Sequence, residues 1–169
     1  MKRFLIATTA FALLAGSAMA ADSLKVDTSK NCSFTIKLRP DLAPKHVAQV
    51  TKLAAAGFYN GIIFHRVIDG FMAQTGDPTG TGMGGSKEPN LPAEFTKEHY
   101  ARGTVGMARS NDPNSANSQF FVMFADGGFL DGQYTVWGNV DEAGMKCVDQ
   151  IAKGEPPATP DKMTKVTVQ

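Results

Sequence analysis

The run Phe64-His65-Arg66-Val67-Ile68-Asp69-Gly70-Phe71-Met72-Ala73-Gln74-Thr75-Gly76-Asp77 places two short apolar segments on either side of Asp69-Gly70. An Asp-Gly pair between such segments is a strong local signal for a tight hairpin. Hairpin strands pair antiparallel, so this stretch commits the chain to β-structure of that kind. Successive side chains of a strand face opposite ways. Phe64, Arg66 and Ile68 are therefore expected on one face of the first strand, and Met72 and Gln74 on one face of the second. Arginine is seldom buried without a partner, so Arg66 among phenylalanine and methionine requires an apolar surface brought from elsewhere in the chain.

The remaining sequence supplies more strands. Leu24-Lys25-Val26-Asp27 and Phe34-Thr35-Ile36-Lys37-Leu38 alternate apolar and polar residues, with turn residues Ser29-Lys30-Asn31 between them. The period then changes to that of a helix. Pro44 suits a first turn, Val47, Val50, Leu53 and Ala54 share a face, and Gly57 stands where the helix would stop. Gly103–Ala108, Gln119–Phe124, Tyr134–Val140 and Val166–Val168 read as further strands. The Gln119–Phe124 run is apolar on both faces, as in a strand covered from both sides. Its alternation sends Gln119, Phe121 and Met123 one way and Phe120, Val122 and Phe124 into a core. A second helix is expected over 142–152, capped by Asp141 and ended by Gly154.

Strands that follow one another without regular helical crossovers predict a mainly β, antiparallel domain. Closing roughly eight strands into a barrel would remove the sheet edges and leave an interior that side chains can fill. A ligand-carrying barrel uses the same strand number but needs a hollow interior. Residues 75–92 are rich in glycine and proline and read as a flexible surface loop. They include Gly80-Thr81-Gly82-Met83-Gly84-Gly85, a literal G-x-G-x-x-G, but Pro89 and Pro92 oppose the helix that a dinucleotide site requires.

Of the 169 residues, the first twenty differ in character from the rest. Lys2-Arg3, the apolar run Phe4–Leu14 and Ala18-Met19-Ala20 have the layout of a cleavable signal peptide over 1–20, leaving one domain over 21–169. The apolar run is shorter than the roughly 20 residues that span a membrane. The mature chain is expected to be exported, with the periplasm its compartment and no membrane attachment after cleavage. Without Lys2 and Arg3 the formal charge passes from +1 to −1, so no basic surplus favours nucleic acid. Cys32 and Cys147 are far apart in sequence and read as two buried or partly buried thiols. A disulfide between them would require Cα atoms within about 7 Å.

Nothing in the chain marks a standard nucleophile or metal centre. There is no G-x-S-x-G elbow, and His46, His65 and His99 lack ligand spacing. No carboxylate pair stands out. An enzyme built from this sequence would work without nucleophile, metal or cofactor.

Phe64-His65-Arg66-Val67-Ile68-x-Gly70-Phe71-Met72-x-Gln74-x-Gly76-Asp77 resembles the signature of the cyclophilins, the peptidyl-prolyl cis-trans isomerases. Gly106-Met107-Ala108, Ser118-Gln119-Phe120-Phe121 and Phe129-Leu130-Asp131-Gly132 match the same family in order, and the likeness covers residues 22–169. The short connection after the first helix is similar to the bacterial exported type. The resemblance implies a closed eight-stranded antiparallel barrel with a packed interior and two capping helices, and a groove on its outside. By the same resemblance Arg66 is the catalytic arginine, with Gln74 beside it. Phe71, Met72, Phe121, Leu130, Phe129 and Tyr134 line the proline pocket, Gln119 adds a polar flank, and Ala108, Arg109 and Ser110 pair with the substrate backbone. The implied function is rotation of X–Pro bonds in folding exported proteins, the implied partners are proline-containing unfolded chains, and the protein is read as a monomer. A non-catalytic proline-peptide-binding chaperone module is the alternative.

The sequence departs from the family in places. Phe129 stands where tryptophan is frequent, removing an indole N–H, so weaker binding of cyclosporin-type inhibitors is expected. Tyr134 replaces a frequent histidine, and Arg109-Ser110 replaces a smaller or Asn-containing pair. One extra residue lies between Met107 and Gln119.

Overall fold

The computed structural model describes residues 21–169, and the signal segment expected over 1–20 lies outside the described residues. In chain order the elements are β1 (Ser23–Thr28), β2 (Ser33–Leu38), α1 (Pro44–Ala55), β3 (Arg66–Ile68), β4 (Met72–Thr75), β5 (Thr104–Met107), β6 (Phe120–Met123), a 3-10 turn (Gly128–Leu130), β7 (Val136–Val140), α2 (Glu142–Val148) and β8 (Met163–Val168). The eight strands form one sheet in the order β3-β4-β6-β5-β7-β2-β1-β8, and every pairing is antiparallel.

The sheet curls without closing. Among the described residues no ladder joins the end strands β3 and β8. The chain just before β3 meets the start of β8 through an isolated bridge, Ile63–Lys162, with backbone bonds from Gly61 to Met163, from Met163 to Ile62 and from Phe64 to Asp161. The closed barrel expected from the sequence is thus an open, curled sheet. β3 is only three residues long, which leaves little backbone to pair along β8. The same early end corrects the placing of Phe64. It lies outside β3, fully buried in the main core, and does not share the face of Arg66 and Ile68.

The interior is filled by side chains. Leu24 and Val26 of β1, Phe34, Ile36 and Leu38 of β2, and Phe120 and Val122 of β6 point inward at alternate positions, around Trp137 of β7. The face Val47, Val50, Leu53 and Ala54 of α1 joins this core, as do Met145 and Val148 of α2. Each large apolar side chain so buried contributes about 1.5–3 kcal/mol. On the outer face a smaller cluster of Met72, Tyr100, Phe121, Met123, Leu130 and Val136 packs separately. The two-faced burial of β6 is the reason its sequence is apolar throughout.

Three local features differ from the sequence reading. First, α2 ends at Val148, because Gln150 and Ile151 donate three residues back to Cys147 and Val148, and the Ala152 N–H goes to Asp161 Oδ2 at 2.9 Å. Gly154 is no helix stop; it exchanges two backbone bonds of 2.8 Å with Val67 of β3. Second, the cysteines are not separate thiols. Cys32 and Cys147 form a disulfide with Cα atoms 5.8 Å apart, tying the β1–β2 hairpin to α2. Third, the glycine-rich loop is organised around a buried carboxylate. Asp77, 1% exposed, accepts the N–H groups of Thr79, Thr81, Gly82 and Gly84 and the Thr79 hydroxyl. A Cβ at Gly84 would collide with Asp77 Oδ1, so glycine is required there by close approach.

Candidate active site

Sheet register assembles the site. Arg66 of β3 stands opposite Gln74 of β4, Gln74 opposite Phe121 of β6, and Phe121 opposite Gly106 of β5. These four residues form one row across four strands on the outer face. A Cβ at Gly106 would run into the Phe121 ring and the Tyr100 hydroxyl, so the missing side chain is what lets Phe121 lie over β5. Tyr100 stacks on Phe121 with ring centroids 5.8 Å apart, and Tyr134 meets it edge-on at 5.9 Å.

The row floors an apolar hollow of about 430 Å³. Arg66, Phe71, Met72, Gln74, Ala108, Arg109, Phe121, Phe129, Leu130, Gln133 and Tyr134 line it. Phe129 is 66% exposed at the rim, on the turn that also carries buried Leu130, and its ring lies 5.5 Å from that of Phe71. Every site residue expected from the sequence lines this hollow except Gln119 and Ser110. Those two line an adjoining polar hollow of about 500 Å³, roofed by Gly82–Ser86 and walled by Asn90, Ser115 and Asn117. Gln74, Ala108 and Arg109 are shared by both.

Hydrogen bonds fix the polar edge. The Arg66 Nε donates to Glu155 Oε1 at 2.7 Å and its Nη1 reaches Gln74 Oε1 at 3.5 Å. The Gln74 amide donates to Gln119 Oε1 at 2.9 Å. Gln119 in turn donates to the carbonyls of Gly82 and Gly84, at 2.9 and 2.8 Å. The loop that Asp77 organises thus braces Gln119, which braces Gln74. Burial opposes ionisation of Asp77, but the bonds from Thr79, Gly84 and Gly82 outweigh it and hold the carboxyl at about 2. His65, the sequence neighbour of Arg66, is buried and lines neither hollow, and burial lowers its pKa.

The edge after β5 is open. Ala108 donates its N–H to Gln119 at 2.9 Å, whereas the Arg109 N–H has no partner among the described residues. The Arg109 side chain lies over the Tyr134 ring at 4.5 Å and donates to the Gln133 carbonyl at 2.8 Å. Glu155 and Gln133 are site residues that sequence reading missed. Glu155 sits in a proline-rich loop with no motif around it, and only the Val67–Gly154 bridge brings it beside β3.

Residues 23–168 match the family of cyclophilin type peptidyl-prolyl cis-trans isomerases (Cyclophilin type peptidyl-prolyl cis-trans isomerase/CLD). A probable peptidyl-prolyl cis-trans isomerase of Brucella suis is 56% identical over 156 residues, covering 83% of this chain and 79% of that protein. A peptidyl-prolyl cis-trans isomerase-like 1 of Aspergillus oryzae is 43% identical over 137 residues, covering 78% and 82%. Among solved structures, a Hirschia baltica cyclophilin superposes with a TM-score of 0.78 at 31% identity, over 88% of this chain and 74% of that one. A Cryptosporidium parvum cyclophilin type isomerase, crystallised in the presence of the dipeptide Ala-Pro, gives a TM-score of 0.78 at 27% identity, over 87% and 98%. A matching family over nearly all the described residues, relatives above one-half identity and two superposable folds lead to one conclusion: the chain belongs to the cyclophilin-type peptidyl-prolyl cis-trans isomerases.

Proposed function

We propose that this protein accelerates X–Pro rotation in exported polypeptides during folding, with Arg66 stabilising the twisted amide and no covalent intermediate. The observation that carries this reading is a fixed guanidinium at the rim of an apolar hollow of proline-accepting size, both built from one row of the sheet. Rotation about an X–Pro bond must break amide resonance, with a barrier of roughly 18–20 kcal/mol. Unaided it takes tens to hundreds of seconds, on the order of minutes. At the twisted geometry the prolyl nitrogen regains its lone pair and becomes a hydrogen-bond acceptor. Arg66 is permanently charged and can donate to that nitrogen only then, which is differential binding of the transition state.

The other residues serve placement. Phe71, Met72, Phe121, Phe129, Leu130 and Tyr134 hold the ring, with burial contributing about 1.5–3 kcal/mol, so single short peptides bind modestly. Gln74, held through Gln119, orients Arg66. The unpartnered Arg109 N–H beside Ala108 and Ser110 offers a strand edge to the peptide backbone. Export is supported by the layout of residues 1–20 and by the Cys32–Cys147 disulfide, which an oxidising compartment favours.

A protease-coupled assay on a peptide with a central proline tests the mechanism. Arg66→Ala is expected to lower kcat/KM by about 10²–10³-fold, as for loss of one transition-state donor. An unchanged rate in that variant would overturn the role of Arg66, and peptide binding without acceleration in the wild type would favour the chaperone module. Amino-terminal sequencing of protein recovered from the periplasm should begin at Ala21; a chain retaining Lys2 and Arg3 would refute cleavage.

A further inference from the structure

Arg109 differs from the other arginines among the described residues. Arg39 pairs with Asp41 and Glu98, Arg66 with Glu155, and Arg102 with Glu142 and Asp149. Arg109 has no carboxylate partner among the described residues, although it is half-buried. Arginine taken out of water is normally matched by an anion. Its contacts here orient it without neutralising it. Nε and Nη2 share the Gln133 carbonyl at 3.3 and 2.8 Å, Nη1 donates to the Ser110 carbonyl at 2.8 Å, and the guanidinium carbon stands 4.5 Å from the Tyr134 ring centre.

A guanidinium has five N–H donors. These bonds leave one N–H on each of Nη1 and Nη2 without an acceptor, so the guanidinium can still donate to a carboxylate. Arg109 lines both hollows, and among the described residues neither has an aspartate or glutamate in its lining. Arg66 already has its counter-charge in Glu155. In the polar hollow, where serine, asparagine, glutamine and glycine make most of the wall, Arg109 is the one charged lining residue among the described residues.

The geometry points to Arg109 as a specificity determinant that favours client segments carrying an acidic side chain within a few residues of the proline, seated against the polar hollow. This rests on the reading of the apolar hollow as the proline site. The preference acts at a partly exposed charge, so its size is a few-fold and it weakens with salt.

The test is a set of X–Pro peptides with Glu, Gln or Lys placed in turn at each position within three residues of the proline. Their kcat/KM values are compared at low and high ionic strength for wild type, Arg109→Gln and Arg109→Lys, each checked for folding by thermal melt. At one position at least, wild type should favour Glu over Lys by about fivefold at low salt. Gln should fall between them, and the ratio should shrink at high salt. Arg109→Lys should retain part of the ratio and Arg109→Gln should abolish it. Equal values for Glu, Gln and Lys at every position, or a ratio that survives Arg109→Gln, would overturn the inference. The salt series needs only wild type and decides the matter should a variant fold poorly. If no peptide is accelerated, the isomerase reading itself has failed. Peptide affinities from chemical-shift titration then carry the comparison, with a Glu-over-Lys preference supporting the role of Arg109 and equality rejecting it.

Discussion

Arg66 meets two acceptors before any peptide arrives, and they do different things. Gln74 touches Nη1 at the long distance of 3.5 Å, whereas Glu155 takes Nε at 2.7 Å and so anchors the side of the guanidinium away from its tip. Both charges are partly exposed, so the pair adds little to stability. Its consequence is orientation, because restricting a reacting group to a productive pose lowers the barrier. Glu155→Ala is expected to reduce kcat about three- to tenfold with KM little changed. Glu155→Gln, which keeps an acceptor, should recover most of that loss. In an Arg66→Ala background the Glu155 substitution should have no further effect; an equal loss there would show that Glu155 does not act through Arg66. Of this residue-scale picture, the sequence exposed Arg66 through its odd apolar company. It gave no hint of Glu155, whose position depends on a single backbone bridge to Val67.

At the scale of elements, two segments are completed by residues from elsewhere. α1 begins after Ala43, which has no capping side chain, and the Glu94 carboxylate instead accepts the N–H groups of Lys45 and His46 at 3.1 and 3.0 Å. Pro44 and the apolar period made the helix legible, but its cap comes from a distant loop. The glycine-rich loop shows the same dependence on Asp77. The folded-state pKa of Asp77, about 2, lies below the ordinary carboxyl value of 3.8. A depressed pKa contributes stability that is complete above the unfolded value and is lost as pH falls through the folded one. That contribution is about 2 kcal/mol near neutral pH and should disappear between about pH 4 and pH 2. Urea unfolding of wild type and Asp77→Asn should therefore differ most near neutrality and converge toward pH 2. A gap independent of pH would refute the assignment to the ionised carboxylate. Because this loop braces Gln119, the same variant should also slow catalysis.

At the scale of the whole molecule, the disulfide and the groove occupy different elements. Cys32 and Cys147 connect the β1–β2 hairpin to α2, and none of these elements contributes a lining residue to either hollow. The bond closes a loop of 115 residues, for which chain entropy predicts stabilisation of about 2–5 kcal/mol. Cys32→Ser combined with Cys147→Ser should lower the urea midpoint accordingly while leaving kcat/KM near wild type at 25 °C. A large loss of activity in a variant that remains folded would show that the disulfide supports the groove. The sheet itself is an open curl whose interior is nonetheless filled, since Trp137, Phe34 and Phe64 leave almost no surface exposed.

The sequence by itself determined the Phe64–Asp77 hairpin, the pairing sense and the two faces of β6, and it named most of the residues that line the groove. The hairpin, the pairing sense and the faces of β6 follow from alternation and turn residues, which are local. The groove residues follow from the resemblance of several short motifs to one family. Tertiary structure alone decided that the sheet stays open, that two distant cysteines meet, that Asp77 orders a loop and that Glu155 pairs with Arg66. It also left Arg109 without a counter-charge among the described residues. These are contacts between segments far apart in sequence, and their formation depends on register and on which loops reach the same edge, which no short-range pattern records.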